Sequence, residues 1–451
     1  MSQARKPGRL RPRASSFQEC LREFLTPAVW KQVQNTAAAL RHPPRWSRQA
    51  LLLVLLLMTW TCGDSQAERF ETARAFCVVC LAKRKRPGKT LPGFHKALLR
   101  LPMPVLGALA AAVRGRLLTL LDLWTDGFIV LGCDGSRLEC PRSAVLERRL
   151  GQAGKKHSAP TVWLTALVHL RTGVLWAWRL GKGTASERGQ LVQMLTTLPA
   201  AALVVADAGF NGYELVQALL AAKASFLIRM SAKVSLYAAG DAPTRRWRDG
   251  IVHSWPLAAQ QRRALPVRLR LIRIRGKKRG RDVWLLTDVL DRRRLPAETA
   301  ARYYRRRWEN EGLFRTFKRT LRQVKLQSRT PRLLFREAEG ALLATQLLLA
   351  QGARALGTGR SSAAAACSPR KVLLAIRKEL AAAPPPPPRR RRRFAQRLAQ
   401  ALRDRRLRRS SKVKRKWPRR GDHKAPKPPK ILKLTAKQLA LISQLKEQSA
   451  A

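Results

Sequence analysis

The pattern of hydrophobic and polar positions changes twice along the chain. Between residues 17 and about 123, apolar residues recur at helical spacing between Pro and Gly breakers. This pattern predicts an all-helical N-terminal domain, residues 17–124. Its most apolar run, LLLVLLLM at residues 51–58, is shorter than the roughly 18 residues that a membrane span requires. We therefore expect a buried helix there, and no membrane association.

Near residue 127 the helical spacing gives way to short apolar runs of strand length. The runs occupy residues 128–133, 161–170, 174–180, 202–206 and 225–230. The sequence TASE at residues 184–187 matches a capping box and predicts a helix through residue 198, and residues 213–223 predict another. Residues 231–291 lack helical spacing and contain strand-like runs at 267–274 and 283–289. The order predicts an α/β domain, residues 125–330, with a β-rich insertion at about 231–291.

The segment YRRRWENEGLFRTFK, residues 304–318, has the spacing of one amphipathic helix. On a helical wheel, Tyr304, Arg307, Glu311 and Lys318 fall within about 60° of one another, so one carboxylate stands among three groups that suit phosphate. Glu309 points about 160° away from Glu311, which favours Glu311 as the functional acid. The predicted buried edge of this helix consists of Tyr303, Leu313, Phe314, Phe317, Leu321 and Val324.

The two ends of the chain are basic. Residues 1–16 predict a disordered arm, and residues 331–383 predict C-terminal helices. Five prolines and then five arginines, residues 384–393, mark the end of that helical region. Residues 384–451 predict a Pro- and Arg-rich basic tail, disordered except for a terminal helix at about 435–447.

The charge balance narrows the class of partner. The 451 residues contain 91 Lys and Arg against 27 Asp and Glu, a net charge of +64. Only 20 of these bases lie in residues 384–430, so the excess is not confined to the tail. An excess of this size favours nucleic acid as the partner, although a GC-rich genome would account for part of the Arg content. Seven scattered cysteines do not form a disulfide framework, which favours a reducing cytoplasm.

Three carboxylates are candidates for chemistry. Asp134 and Asp207 each directly follow a predicted buried strand of the α/β domain, and Glu311 lies on the later helix. Taken singly, an Asp after a strand is most often a turn or cap residue. Together, three carboxylates at the end of a sheet could hold two hard divalent cations, which activate water or a 3′-hydroxyl and stabilise the leaving oxygen of a phosphodiester. Metal-assisted phosphoryl transfer on DNA is the resulting hypothesis.

These motifs resemble those of a known family. The spacing Tyr304-x2-Arg307-x3-Glu311-x6-Lys318 is similar to the Tyr-Arg-Glu-Lys signature of bacterial DDE insertion-sequence transposases, whose catalytic domain is ribonuclease-H-like. CDGSRLECPR at residues 133–142 and VVADAGFNGYEL at 204–215 resemble the two aspartate blocks of that family. The resemblance covers about residues 125–345; one departure is Asn310, where the family usually has an apolar residue.

The resemblance implies a ribonuclease-H-like mixed sheet with flanking helices, and Asp134, Asp207 and Glu311 as ligands of two Mg²⁺ or Mn²⁺ ions. It implies that Tyr304, Arg307 and Lys318 hold DNA phosphates near the cleaved end. The expected activity is cut-and-paste transposition in the bacterial cytoplasm, at the nucleoid. The expected partners are the terminal inverted repeats, target DNA and a second copy of the chain at synapsis.

Two other functions stay open at this point. A nuclease of the same fold would use the same metals but cut without joining. A basic DNA-binding or DNA-packaging protein, or a decayed element copy, would not depend on the three acids at all.

Overall fold

The computed structural model describes residues 16–36, 45–81, 86–151, 158–238, 247–276, 282–355, 368–382, 394, 398 and 428–450. The predicted N-terminal arm, apart from its last residue, and most of the predicted basic tail lie outside these ranges.

Six short helices form the N-terminal region, as the sequence predicts. They are α1 (Phe17–Phe24), α2 (Pro27–Asn35), α3 (Arg48–Trp60), α4 (Gln66–Leu81), α5 (Leu91–Arg100) and α6 (Pro104–Leu120). Ser16, Thr26, Ser47 and Thr90 begin α1, α2, α3 and α5 by accepting a hydrogen bond from a backbone N–H of the first turn. The apolar run at 51–58 lies in α3 and is almost wholly buried, which confirms that prediction.

Among the described helices, none is by itself long and apolar enough to cross a membrane. The pair α5 and α6 reaches that length and composition only jointly, with a bend of 85° between them.

One sheet of ten strands runs through the α/β region. The strands are β1 (Ile129–Glu139), β2 (Thr161–His169), β3 (Leu175–Lys182), β4 (Ala202–Ala206), β5 (Ser225–Arg229), β6 (Ser235–Ala238), β7 (Asp249–Ser254), β8 (Val267–Ile274), β9 (Val283–Thr287) and β10 (Lys430–Lys433). Their order is β10-β6-β7-β8-β9-β5-β4-β1-β2-β3. β1, β2 and β3 are antiparallel, whereas β4 and β5 run parallel to β1. This is the ribonuclease-H-like mixed sheet that was predicted.

The β-rich insertion extends this same sheet. Its strands β6–β9 add beyond β5, with β9 antiparallel to β5. The sequence patterns identified β8 and β9 but missed β6, β7 and the C-terminal strand β10, which pairs in parallel with β6. These three strands are short and only partly buried, so their apolar alternation is weak.

The helices of the rest of the chain flank the sheet. They are α7 (Ala144–Leu150), α8 (Glu187–Met194), α9 (Tyr213–Ala221), α10 (Leu257–Gln261), α11 (Ala297–Arg306), α12 (Glu309–Arg315), α13 (Pro331–Ala355), α14 (Pro369–Ala381) and α15 (Ala436–Ala450). The predicted capping box at 184–187 is wrong. Ser186, not Thr184, begins α8 and accepts a hydrogen bond from the Gly189 N–H, which makes Glu187 the first helical residue.

Two hydrophobic cores lie on the two faces of the sheet. The larger one joins α1–α6 and α13 to the strands, so the N-terminal helices share a core with the sheet. The smaller one packs Tyr303 and Tyr304 of α11 against Val130 and Val205 on the other face. A third cluster joins Leu434 and α15 to Trp255 of the insertion, so the C-terminal end folds back onto this domain.

Candidate active site

The register of two parallel strands places the predicted aspartates side by side. The last paired residues of β1 and β4 are Gly132 and Val205, and Asp134 and Asp207 follow two residues further along. Because side chains alternate across a strand and neighbouring strands lie about 4.8 Å apart, we expect both carboxylates on one face of the sheet as neighbours.

Asp134 lies within its strand, and the prediction that it follows the strand is wrong. β1 continues to Glu139, because its outer half pairs with β2, where Asp134 is opposite Ala166. This outer half has lost β4 as a neighbour and is less buried, which explains why its sequence no longer looks apolar. Asp207 does follow β4 directly, and its Oδ1 accepts the Gly209 N–H at 2.8 Å.

The helix predicted to carry Glu311 is broken. α11 ends at Arg306, α12 begins at Glu309, and a π-helical turn covers Thr316–Thr320. The prediction of one continuous helix from Tyr304 to Lys318 is therefore wrong. Glu309 and Glu311 both lie in the exposed first turn of α12.

The break lets the chain pass from one face of the sheet to the other. Tyr303 and Tyr304 pack in the smaller core, whereas Leu313 and Phe314 pack in the larger one. A straight helix would keep all of these side chains on one face. The predicted buried edge of the helix is thus divided between two cores, and Val324 is 49% exposed.

Asn310 lies at the crossing point. It is fully buried against Gly132 of β1, where an added Cβ would come within 3.0 Å of both Asn310 side-chain polar atoms. Neither of these polar atoms finds a hydrogen-bond partner in the part of the chain that the structure describes. A glycine at 132 therefore allows α12 to approach β1 closely.

An ion pair holds Asp134. Its Oδ2 lies 3.3 Å from Nη1 of Arg307, and its Oδ1 accepts the Gly135 N–H at 2.9 Å. The pKa of Asp134 is nevertheless raised, chiefly by burial and further by the charges of Asp207 and Glu311. Asp207 and Glu311 are thus each close enough to Asp134 to disfavour its charged form.

Arg307 is fixed in place by two aromatic rings. Its guanidinium carbon lies 5.6 Å from the ring centroid of Tyr304 and 5.4 Å from that of Trp308. The buried Tyr304 hydroxyl and the Arg307 Nε lack hydrogen-bond partners among the described residues. Arg307 therefore lies next to Asp134 with Tyr304 beside it, and each of the two side chains has a buried polar atom without a hydrogen-bond partner among the described residues.

An open cleft of about 720 Å³ collects the remaining predicted residues. Its lining consists of Asp134, Gly135, Ser136, Glu311, Phe314, Arg315, Lys318 and Arg319. Asp134, Glu311 and Lys318 therefore face one space, whereas Asp207, Tyr304 and Arg307 do not line it.

Lys318 is anchored on β1. Its Nζ donates to Oγ of Ser136 at 2.8 Å, and burial lowers its pKa. Beyond the π turn, the Leu326 N–H donates to the Glu139 carbonyl at 2.9 Å. These contacts hold the whole segment that follows Glu311 against the end of β1.

Sequence reasoning missed one acid of the site, Glu187. Its Oε1 occupies the space that a Cβ at Gly135 would fill, and its Oε2 would lie 3.7 Å from a Cβ at Gly209. Burial raises the pKa of Glu187 to about 7, and the charges of Asp134 and Asp207 add to the effect. The available signal was an acid beginning the helix between the two aspartate strands, but the capping-box match gave it a structural role.

The donor chemistry fits a hard divalent cation. In the described ranges, no three His, Cys, Asp or Glu side chains are already placed to hold a metal ion together. The acids of the site are oxygen donors, however, and the pKa values of Asp134 and Glu187 are raised by burial and further by the neighbouring negative charges. A cation would relieve that repulsion once Asp134 is released from Arg307.

Two comparisons with known proteins found similarities. Residues 127–347, just under half of the chain, match the family model described as the transposase DDE domain. No curated protein matches the chain. A cryo-EM structure of the piggyBac transposase synaptic complex with hairpin DNA is similar, at 12% sequence identity and a TM-score of 0.41, with 84% of each chain covered. The family match supports a DNA transposase of the DDE class, and β1, β4 and α12, which carry Asp134, Asp207 and Glu311, all lie inside the matching segment.

Proposed function

We propose that the chain is a cut-and-paste DNA transposase that hydrolyses phosphodiester bonds at the ends of its element and joins the freed 3′-hydroxyl to target DNA. The observation that carries the proposal is the β1–β4 register, which aligns Asp134 with Asp207 beside the cleft that Glu311 lines.

Asp134, Asp207 and Glu311 would hold two Mg²⁺ or Mn²⁺ ions. Such ions, when bound, activate water or a 3′-hydroxyl and stabilise the leaving oxygen. The carboxylates supply only oxygen donors, which suits hard cations. Burial raises the pKa of Asp134, and the charges of Asp207 and Glu311 add to the effect, so a bound cation would be favourable there.

Arg307, Tyr304 and Lys318 would hold DNA phosphates. In the free protein, Arg307 is bonded to Asp134, so we expect it to exchange that carboxylate for a phosphate oxygen when DNA binds. The unpaired Tyr304 hydroxyl and Arg307 Nε support the exchange, because a buried polar atom without a partner costs about 1–3 kcal/mol. Lys318 would reach a second phosphate from the cleft wall.

The partners would be the terminal inverted repeats and target DNA, with a homodimer forming at synapsis in the bacterial nucleoid. The net charge of +64 supports a DNA partner, because Lys and Arg displace the counterions condensed on the phosphate backbone.

A joining assay tests this proposal. A labelled duplex that ends in the element terminus is incubated with the protein, Mg²⁺ and plasmid DNA, and transfer of label to the plasmid is measured. We expect covalent joining of the 3′ end. Cutting without joining would make the protein a nuclease of the same fold, and DNA binding without cutting would favour the non-catalytic function.

A further inference from the structure

We propose that Glu187 is a fourth carboxylate ligand of this metal site, placed between the ends of β1 and β4. The inference rests on the proposed function, and it concerns a residue outside the three acids that the sequence motifs single out.

Two glycines make the space that the Glu187 carboxylate occupies. Gly135 directly follows Asp134, and a Cβ there would overlap Oε1 of Glu187. Gly209 lies two residues after Asp207, and its Cβ would lie 3.7 Å from Oε2. The two oxygens of Glu187 thus face the backbone next to two predicted ligands, one oxygen toward each.

The position of α8 is fixed by its N-terminal cap, by a hydrogen bond to the turn after Asp207 and by its buried side. Ser186 caps the helix, so its first residue, Glu187, has a defined direction. The next residue, Arg188, donates from Nη1 to the Asn211 carbonyl at 2.8 Å, which ties α8 to the turn that follows Asp207. On its other side, Gln190 and Leu191 are buried beneath β3 and the core. The packing of α8 therefore holds the Glu187 carboxylate close to Asp134 and Asp207.

A structural role for Glu187 as an ion-pair partner is less well supported. The guanidinium of Arg137, a neighbouring cation, lies over the Trp163 ring, 5.1 Å from the centroid. A charged carboxylate that crowds two other acids is destabilising unless a cation joins them or it takes up a proton. A metal ligand accounts for this placement, and a surface acid does not.

Binding of Mn²⁺ alone to the full chain, measured by titration calorimetry without DNA, tests the proposal. Glu187→Gln keeps the shape of the side chain and removes its charge, and we expect Mn²⁺ affinity to fall at least about tenfold. Asp207→Asn should show a comparable loss. Glu214→Gln is the matched control, because Glu214 lies in the exposed first turn of the next helix, α9, and should leave the affinity unchanged.

Glu187→Cys separates a direct ligand from a residue that acts through its neighbours. A thiolate in the first coordination sphere prefers softer cations, so this variant should bind Cd²⁺ more tightly than the native chain does. Unchanged Cd²⁺ affinity in Glu187→Cys would overturn direct ligation. Native Mn²⁺ affinity in Glu187→Gln together with a loss in Asp207→Asn would also overturn it, but the proposed metal site would stand. Native affinity in both Glu187→Gln and Asp207→Asn would overturn the metal site itself. Each binding constant is compared with the unfolding midpoint of the same metal-free variant, so a folding defect is recognised.

Discussion

At the scale of single residues, the Arg307–Asp134 ion pair competes with the proposed binding of a metal ion by Asp134. Both side chains are largely buried, and the Arg307 guanidinium also lies near two aromatic rings. Removing one partner of such a pair leaves the other as an uncompensated charge in a desolvated place.

We therefore expect Arg307→Ala to lower the free energy of unfolding by about 2 kcal/mol in metal-free buffer. Added Mn²⁺ should restore part of that loss, because the released Asp134 gains a cation. Urea unfolding with and without Mn²⁺ measures both effects. Arg305→Ala, an exposed neighbour on α11, should change stability by less than about 0.5 kcal/mol. Equal stability of Arg307→Ala and the native chain would mean that the ion pair is not significant.

Lys318 differs from the many surface bases because it is half-buried and fixed to Ser136 in the cleft. Lys318→Ala should weaken binding to a cleaved element end more than binding to random duplex DNA. Fluorescence anisotropy with the two DNAs at one salt concentration provides the comparison. Equal losses on both would assign Lys318 to the general phosphate-binding surface.

At the scale of elements, the close approach of α12 to β1 positions Glu311. A Cβ on Gly132 would come within 2.6 Å of Leu170 Cδ2 and 2.9 Å of Asn310 Oδ1. We expect Gly132→Ala to cost about 1–3 kcal/mol of stability and to reduce DNA cleavage, because α12 must shift. Gly107→Ala is the control: nothing lies within 4 Å of an added Cβ on α6, so helix propensity should make it neutral or slightly stabilising. Equal thermal unfolding of the two variants would contradict the close packing.

The connection between α6 and the sheet depends on a neutral histidine. Nε2 of the buried His169 donates to the Leu123 carbonyl at 2.9 Å, and Nδ1 accepts the Thr172 N–H at 3.3 Å. Burial lowers the pKa of His169 to about 4, below the ordinary 6.5. Since the unfolded chain takes up this proton first, stability should be lost as the pH falls from about 6.5 to about 4.

His169→Gln should flatten this pH dependence, although the variant is less stable near neutral pH. Urea unfolding at intervals between pH 4 and pH 7 measures the slope for both proteins. An unchanged slope in the variant would show that His169 does not contribute to it.

The local patterns predicted some elements well and others poorly, for physical reasons. Asp207 was placed correctly because β4 is buried along its whole length and ends at the acid. The break between α11 and α12 was not predictable from residues 304–318, because helical spacing continues through Arg307 and Trp308. What breaks the helix is the need to fill two cores on opposite faces of the sheet, which is a property of the tertiary fold.

The same limit explains the missed acid. Glu187 occurs in a sequence that also begins helices for purely local reasons, and only the packing of α8 against Gly135 and Gly209 shows where its carboxylate lies. Register between strands distant in sequence, such as β1 and β4, likewise appears only in the folded sheet.

At the scale of the whole molecule, one continuous core joins the N-terminal helices, the sheet and α13. The site is formed by segments that are far apart in sequence: β1, the turn after β4, α8 and α12. The core therefore has to position all four elements before the carboxylates can act together. The large positive charge would attract DNA to the protein, but it does not by itself determine which reaction the site catalyses.

The central claim is that Glu311, and not Glu309, is the acid of α12 that phosphodiester chemistry requires. The most direct measurement is the rate of Mg²⁺-dependent cleavage of a terminal-repeat duplex by the native protein, Glu311→Gln and Glu309→Gln. Both acids lie in the exposed first turn of one helix, so general effects on folding or charge should be alike. We predict a loss of at least about 100-fold for Glu311→Gln and a nearly native rate for Glu309→Gln. Equal rates for the two variants would contradict the claim.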